Sequence, residues 1–550
     1  MPRRRTVAGV PADLATIARD VGSLLVMQAA LMALSVGVAL LAREYYAAEA
    51  FLFAAAVTAG VGVAARRRFA AAPEPRLKHG MVVAASGWFC TAVFGALPFF
   101  LTATMTPQAV ASGFVPAGAD YAASSLYVFR DPVHALFESM SGWTGSGLTM
   151  AVHEPSLPRT IQWWRSLIQY VGGVGVIVLT VTILSRPGSG SYALYRSETR
   201  EERIHPSIVS TVRTVWKLFL GYTLLSIVAL FLAIRASDYG SSLPLWQAGW
   251  QALNHAMTGL STGGFSVTDN SIATYDSPLI ETVLLPVMTL GAIAFPVHYA
   301  VLGDRDVRQL WTDIQTRWLF VLLVVGAIAL SVQNAVTLPT GAFTGTANYA
   351  SLRSLGVAAP VVDAIRDSTF QFVSALSCTG FQSSPIGRWA AGGKLLVAGA
   401  MTLGGAAGST VGGLKIIRGY TIVRGIKWQF SRVFLPSNAV VNARIGDRLL
   451  DRETMEREFS EAAIVSLLWL LFLAASSLLL VNVAGPEFTY ADALFEVASA
   501  QGNVGLSTGI TGPTMPVVAE GAFVVNMWIG RLEIIPVLVF ARSMLYGLNP

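Results

Sequence analysis

Four 16-residue segments of this chain align with one another without a gap: HALFESMSGWTGSGLT from His134, QALNHAMTGLSTGGFS from Gln251, DSTFQFVSALSCTGFQ from Asp367 and DALFEVASAQGNVGLS from Asp492. Each carries glycine at its fourteenth position, as Gly147, Gly264, Gly380 and Gly505, at intervals of 117, 116 and 125 residues. The eighth position is always a hydroxyl, Ser141, Thr258, Ser374 or Ser499, and Leu148, Phe265, Phe381 or Leu506 follows the glycine. Self-similarity at a near-constant period means one structural unit built four times, each unit needing its neighbours to bury its faces.

The medium in which these units pack follows from composition. The chain has 550 residues, 53% hydrophobic and 13% charged, against about 25% charged in a soluble protein. Its mean hydropathy is +0.57. A soluble enzyme, a nucleic-acid binder and a disordered scaffold are excluded, and the net charge of +6 needs another explanation. A crossing helix requires roughly 20 apolar residues. Ten runs of that order occur, near 21–42, 48–65, 81–104, 161–185, 211–234, 279–303, 316–337, 392–420, 460–483 and 521–547. The last eight form four pairs. Inside each pair lies a shorter apolar stretch, near 133–143, 247–260, 364–376 and 491–500, of a length that suits a re-entrant helix buried in protein. The Met-Pro-Arg-Arg-Arg start is followed by no small-residue cleavage site, so the first run is read as a retained helix.

Arg and Lys accumulate on cytoplasmic loops. They cluster at Arg3–Arg5, at Arg66, Arg67, Arg68, Arg76 and Lys78, at Arg186, Arg196, Arg200 and Arg203, at Arg305 and Arg308, and from Lys415 to Arg452. The segments holding the short helices are poorer in them and are expected to open outward, leaving both termini cytoplasmic. Cys90 and Cys378, far apart in apolar or glycine-rich surroundings, support neither a disulfide framework nor a zinc site.

Each unit therefore reads as span, short helix, extended glycine-containing strand, span. Asp131 before Pro132, and Asp492, are expected to cap their short helices. Non-helical backbone at membrane depth is tolerated where it lines a cavity or is buried in protein, so four such strands imply a pore. A dehydrated cation needs several oxygen ligands, which rings of backbone carbonyls supply without fixed charge. Glycine opens the conformations that turn those carbonyls inward. Glu138, His255, Gln371 and Glu496 share one position in the short helices and are expected to brace the strands by hydrogen bonds. Residues 404–413 hold five glycines in ten, a break in any helix at about 1 kcal/mol each relative to alanine. Arg531 stands in an apolar span, where a charge is a functional candidate by default; its alternative is a salt bridge with Glu533 or another buried acid. No nucleophile triad, metal cluster or phosphate loop is present, so the chain is not read as an enzyme.

At these residues the sequence resembles the Trk/Ktr/HKT superfamily of potassium transporters, and within it the TrkH/TrkG type of pore subunit. Tyr170-Val171-Gly172-Gly173-Val174-Gly175 is similar to that family's glycine-rich stretch in the first unit. The segment Gly404 to Lys415 resembles its intramembrane gating loop, and Gly530-Arg531-Leu532-Glu533 its pore arginine. The resemblance implies an all-α polytopic membrane protein: four pseudo-fourfold helix–pore-loop–helix repeats around a central pore, plus two extra N-terminal helices. The divisions would be 1–78 for the addition, then 79–200, 201–308, 309–435 with the gating loop, and 436–550.

By resemblance, backbone carbonyls of Thr144, Gly145, Ser146, Gly147 and Leu148, of Ser261, Thr262, Gly263, Gly264 and Phe265, of Ser377, Cys378, Thr379, Gly380 and Phe381, and of Asn503, Val504, Gly505, Leu506 and Ser507 form the K+ filter. Gly404, Gly405, Gly408, Ser409, Thr410, Gly412, Gly413, Lys415 and Arg531 form the gate. Relatives with serine at the first filter glycine tend toward sodium, and Gly147 points to potassium. The chain departs from the family pattern at Gln501-Gly502-Asn503 and at Cys378. The resemblance further implies potassium uptake across a bacterial plasma (inner) membrane, with no covalent cofactor and K+ as cargo. It implies a homodimer, a cytosolic TrkA-like nucleotide-binding regulatory subunit docked on the basic segments 186–217 and 415–452, and contact with membrane lipid but not nucleic acid. The runners-up are a KdpA-type subunit of a potassium-pumping ATPase and a sodium/potassium-permeable relative.

Overall fold

The computed structural model describes residues 6–184, 208–337, 359–434, 443–446 and 448–548. The cluster Arg186, Arg196, Arg200 and Arg203, and with it part of both expected docking segments, lies outside the described residues.

Two helices come first, α1 (Ala12–Ala42) and α2 (Tyr45–Arg68), turned at Arg43 with φ 61°. Gly22 and Gly62 let their backbones touch, since a Cβ on either would come within 2.8 Å of the other's carbonyl oxygen. Helix α1 starts nine residues before the expected run at 21, because its polar first turns are held: Asp13 bonds His79 Nε2 at 2.7 Å.

Four units follow in the expected order. The first is α3 (Leu77–Gly95), α4 (Leu97–Met105), the short α5 (Pro132–Thr144) and α6 (Arg159–Leu184). The second is α7 (Ile208–Ala236), the short α8 (Leu245–Leu260), α9 (Pro278–Ala292) and α10 (Phe295–Leu302). The third is α11 (Ile314–Thr337), α12 (Ala359–Leu376), α13 (Ala391–Leu403) and α14 (Ile416–Val433). The fourth is α15 (Arg452–Val483), the short α16 (Tyr490–Gly502), α17 (Val517–Arg531) and α18 (Ile535–Tyr546). Among the described residues six helices are long and apolar enough to cross a membrane, or up to eight when each bent pair counts as one span. Helix α6, with 26 residues, and the broken α13–α14 occupy the other two expected runs. The fold is the helical membrane architecture that the repeats imply.

Asp131 caps α5 as expected, accepting from the Val133 N–H at 2.8 Å with Pro132 in the first turn. Asp492 does not cap α16. Thr489 does, and Asp492 is the reciprocal acid of a capping box that accepts the Thr489 N–H at 2.9 Å.

Polar pairs stitch the units into a ring, each joining the helix after one strand to the short helix of the next unit. Trp250 Nε1 donates to Gln162 Oε1 at 2.7 Å, Arg366 pairs with Glu281 at 2.6 Å and Lys394 with Asp492 at 2.5 Å. His134 and Glu520, 3.3 Å apart, close the fourth unit on the first.

The helices after the strands depart from simple spans. Helix α9 turns by 108° into α10, and α17 by 115° into α18. Each following segment has proline at its second position, Pro296 or Pro536, where no N–H is needed. The third unit breaks over the expected glycine-rich residues. Among the described residues only α6 runs through without a break.

Candidate cation pathway

Four identical helix endings build the site. The N–H of the thirteenth residue of each segment, Ser146, Gly263, Thr379 or Val504, donates to the carbonyl of the eighth, at 2.8, 2.8, 2.9 and 2.9 Å. The N–H of the twelfth, Gly145, Thr262, Cys378 or Asn503, donates to the carbonyl of the ninth at 3.1 to 3.2 Å. These paired bonds are the Schellman ending, which demands a left-handed residue at the twelfth position. Gly145 adopts it freely at φ 71°, while Thr262, Cys378 and Asn503 adopt it at 53°, 52° and 54°. Asparagine tolerates that region, which accounts for Asn503, and its amide bonds Ser146 Oγ at 2.8 Å and the Met527 carbonyl at 2.9 Å. Thr262 pays for its β-branch there, and its hydroxyl is tied to that of Thr410 at 2.9 Å.

The same bonds set the register. In step with 144–148, 261–265 and 377–381, the fourth segment is 502–506, one residue earlier than Asn503–Ser507, so Ser507 matches Thr149, Ser266 and Gln382.

The fourteenth-position glycines show how the four strands meet. All are left-handed, with φ 75°, 77°, 80° and 107°. A Cβ on Gly147 would strike the carbonyl oxygen of Gly263, on Gly264 that of Thr379, on Gly380 that of Val504, and on Gly505 that of Ser146, none more than 2.6 Å away. The contacts run from the first strand to the second, third, fourth and back to the first. Four backbone segments thus form a closed ring, too tight for any side chain at these positions.

Three of the eighth-position hydroxyls secure the ring from behind. Thr258 and Ser374 donate to the Phe265 and Phe381 carbonyls at 2.8 Å, and Ser499 accepts from the Gly505 N–H at 3.0 Å. The shared polar position of the short helices holds the chain leaving each strand. Glu138 accepts from Thr149 and the Met150 N–H, His255 bonds Ser266, Gln371 donates to Ser383, and Glu496 gathers Ser507, Thr508, Gly509, Ile510 and Thr511.

Two residues of α6 were missed from the sequence. Arg165, 1% exposed, donates to Glu138 at 2.7 Å, to the Ser266 carbonyl at 2.8 Å and to Thr149 at 3.0 Å, linking the first two strands. Gln169, one turn later, bonds the second strand. The signal was available: a charge inside an apolar span, the rule that singled out Arg531, with a polar residue four positions on.

The expected loop, Gly404 to Lys415, packs against the break between α9 and α10. Ala406 and Thr410 donate their N–H groups to the carbonyls of Ala292 and Gly291 at 3.1 and 3.2 Å, and Phe295 donates to Gly408 at 3.1 Å. Gly404, Gly408 and Gly413 are left-handed, Gly412 touches the Gly502 carbonyl, and Gly405 lies against Ala292. Ser409 and Lys415 bond carbonyls within the loop, Ala406 and Val411. Arg531, 5% exposed, donates to Thr410 of this loop at 2.7 Å and to Gly172 and Gly173 of α6 at 2.8 and 3.2 Å. Its Nη1 lies 3.8 Å from the Cβ position of Gly145, against the ring. The alternative pairing with Glu533 is not made: Glu533 binds Arg418 at 2.6 Å, with Lys415 3.9 Å away.

A family model described as TrkH, cation transport protein, matches residues 79–546. The chain belongs to this family. The match covers all four units and leaves out the two N-terminal helices. An uncharacterized cation transporter of Methanocaldococcus jannaschii is 31% identical over 86% of this chain and 84% of its own length. The Trk system potassium uptake protein TrkH of Escherichia coli K12 is 30% identical over 74% of this chain and 77% of its own. The crystal structure of the potassium transporter TrkH from Vibrio parahaemolyticus superposes with a TM-score of 0.73 at 23% identity, over 97% of this chain and 99% of that one, a likeness of fold. As a TrkH-family chain it is a membrane transport protein, not an enzyme.

Proposed function

We propose that the chain takes up potassium, passing K+ down its electrochemical gradient through the ring of four strands. The closed circle of glycine-to-carbonyl contacts carries this reading, because it places backbone oxygens of all four units where no side chain fits, and such oxygens replace the water shell of a dehydrated cation. The name of the Escherichia coli relative points the same way. The inward membrane potential supplies about 2.3 kcal/mol per charge per 100 mV. The carbonyls involved are those of 144–148, 261–265, 377–381 and the fourth strand around Asn503–Ser507. The four transport repeats are bounded as 79–200, 201–308, 309–435 and 436–550.

The loop Gly404–Lys415 and Arg531 act as the gate. The guanidinium bridges loop and α6 next to the ring, so a cation leaving the strands meets a fixed positive charge until the loop shifts. The chain works as a homodimer in a bacterial inner membrane with both termini cytoplasmic, and a nucleotide-binding regulatory subunit acts on the basic segments joined to the loop. Rescue of a potassium-uptake-deficient bacterium at low external potassium tests the reading. Growth is expected, and absence of growth with the protein verified in the membrane overturns it.

A further inference from the structure

The helix that follows the first strand treats the ring differently from its counterparts. In α6, α9 and α17 a glycine packs on the tenth-position carbonyl of its own unit: Gly172 on Trp143, Gly291 on Leu260 and Gly530 on Gln501. Three residues before each stand Gln169, Met288 and Met527, all fully buried. Two of these are methionines with nothing to offer a backbone. Gln169 instead donates to the Gly263 carbonyl at 2.6 Å and accepts from the Phe265 N–H at 3.0 Å. The partner site is altered to match. The thirteenth position is Ser146, Thr379 and Val504 in the other strands but glycine in the second, and the Gln169 amide occupies the space a Cβ of Gly263 would fill, within 2.5 Å of that point. Among the described residues no hydrogen bond is donated to the equivalent carbonyls of Ser146, Thr379 or Val504.

We propose that Gln169 is a specificity-determining positioning residue: its two-point clamp fixes the second strand and commits the Gly263 carbonyl, so a cation meets one thirteenth-position carbonyl held by a donor and three that are not. This rests on the reading of the ring as a carbonyl filter. A smaller dehydrated cation needs its oxygen ligands closer, and a clamped strand cannot close in around it without breaking both bonds. The clamp therefore acts against sodium.

Bi-ionic reversal potentials of the full-length protein in planar bilayers, K+ against Na+, test this. Gln169→Met, which copies the residue of the second and fourth units, is expected to conduct with a K+/Na+ permeability ratio lowered roughly tenfold, the scale of one to two hydrogen bonds. Gln169→Glu keeps the shape. Its ionised carboxylate accepts from Phe265 but repels the Gly263 carbonyl, whereas the protonated acid donates to it, so the ratio falls at high pH and recovers on acidification. A packing role alone predicts no such recovery. If the methionine variant does not fold, the isosteric glutamate decides. Wild-type ratios in both variants, or a glutamate ratio indifferent to pH, overturn the proposal. A wild type that carries no potassium-selective current overturns the functional reading instead.

Discussion

The four short-helix endings and the four helices that follow the strands come from the same repeated unit, yet the first set is uniform and the second is not. At the endings the same two backbone bonds recur in every unit within about 0.1 Å. Beyond the strands one helix is intact, two are bent by more than 100° and one dissolves into a loop. Backbone bonding tolerates no variation where four strands must close on one another, so the ring stays fourfold. The helices below it break at local glycine and proline, and three of them end within two residues of matching positions, after Ala292, Leu403 and Arg531. Symmetry belongs to the proposed filter, asymmetry to the proposed gate.

The uniform set is broken most sharply at its glycines. Gly264→Ala and Gly380→Ala each combine a left-handed φ with a Cβ driven into a neighbour's carbonyl oxygen. Both are expected to abolish potassium uptake in the complementation assay, with the protein still present in the membrane. Equal loss at the two sites supports fourfold equivalence, and retained uptake in either breaks it.

Next in size is the Arg165–Glu138 pair, 1% and 0% exposed at their side chains. Removing one partner leaves the other charged and buried, a cost of about 3–5 kcal/mol. Arg165→Ala is expected to lower the thermal unfolding midpoint of the detergent-purified protein by many degrees, whereas Arg235→Ala, which frees only the carbonyls of Gly240 and Leu243, costs far less.

How much of this was legible follows the same division. The ring was readable because four copies in one chain act as their own alignment, and the Schellman geometry repeats with them. The fourth strand was read one residue late although the gapless alignment already sets Asn503 level with Gly145, Thr262 and Cys378; the hydrogen bonds and left-handed φ values hold it to that register. The cap of α16 was misplaced because Thr489 and Asp492 satisfy each other, which leaves either as a plausible first residue. The bends after α9 and α17 were missed inside runs long enough to cross as single spans, although Pro296 and Pro536 marked them. Arg165 could have been picked out as a charge in an apolar span, but its and Gln169's partners on the second strand lie 94 and more residues away and are not legible from the sequence.

Arg531 probes the asymmetric set. Its three carbonyl partners come from the loop and from α6, the one intact helix, so it ties the broken region to the continuous one. Arg531→Ala removes both the tie and the charge. Potassium flux in proteoliposomes is expected to rise by about tenfold, equivalent to about 1.4 kcal/mol, modest beside the Coulomb repulsion of a buried charge. Unchanged flux and selectivity would remove Arg531 from the gate.

The smallest effect lies at the mouth of the first unit, where the ring's surroundings stop being fourfold. Glu154 follows the first strand and sits 3.9 Å from Arg165, a guanidinium already engaged by Glu138. Burial pushes the Glu154 carboxyl up to about 7; Arg165 pulls it partly back, and Asp269 and Glu138 add to the rise. His153 beside it faces Asp269 at 3.6 Å. A carboxyl raised above its ordinary value of 4.5 favours the folded state while protonated, so its contribution is complete below that value and is lost as pH climbs through about 7. Thermal midpoints should therefore fall between those two pH values. Glu154→Gln should hold the acid-side midpoint across that window and lie above wild type at pH 8. Parallel curves for the two proteins would mean that Arg165 keeps Glu154 ionised, and that the first unit's mouth is as evenly compensated as the ring behind it.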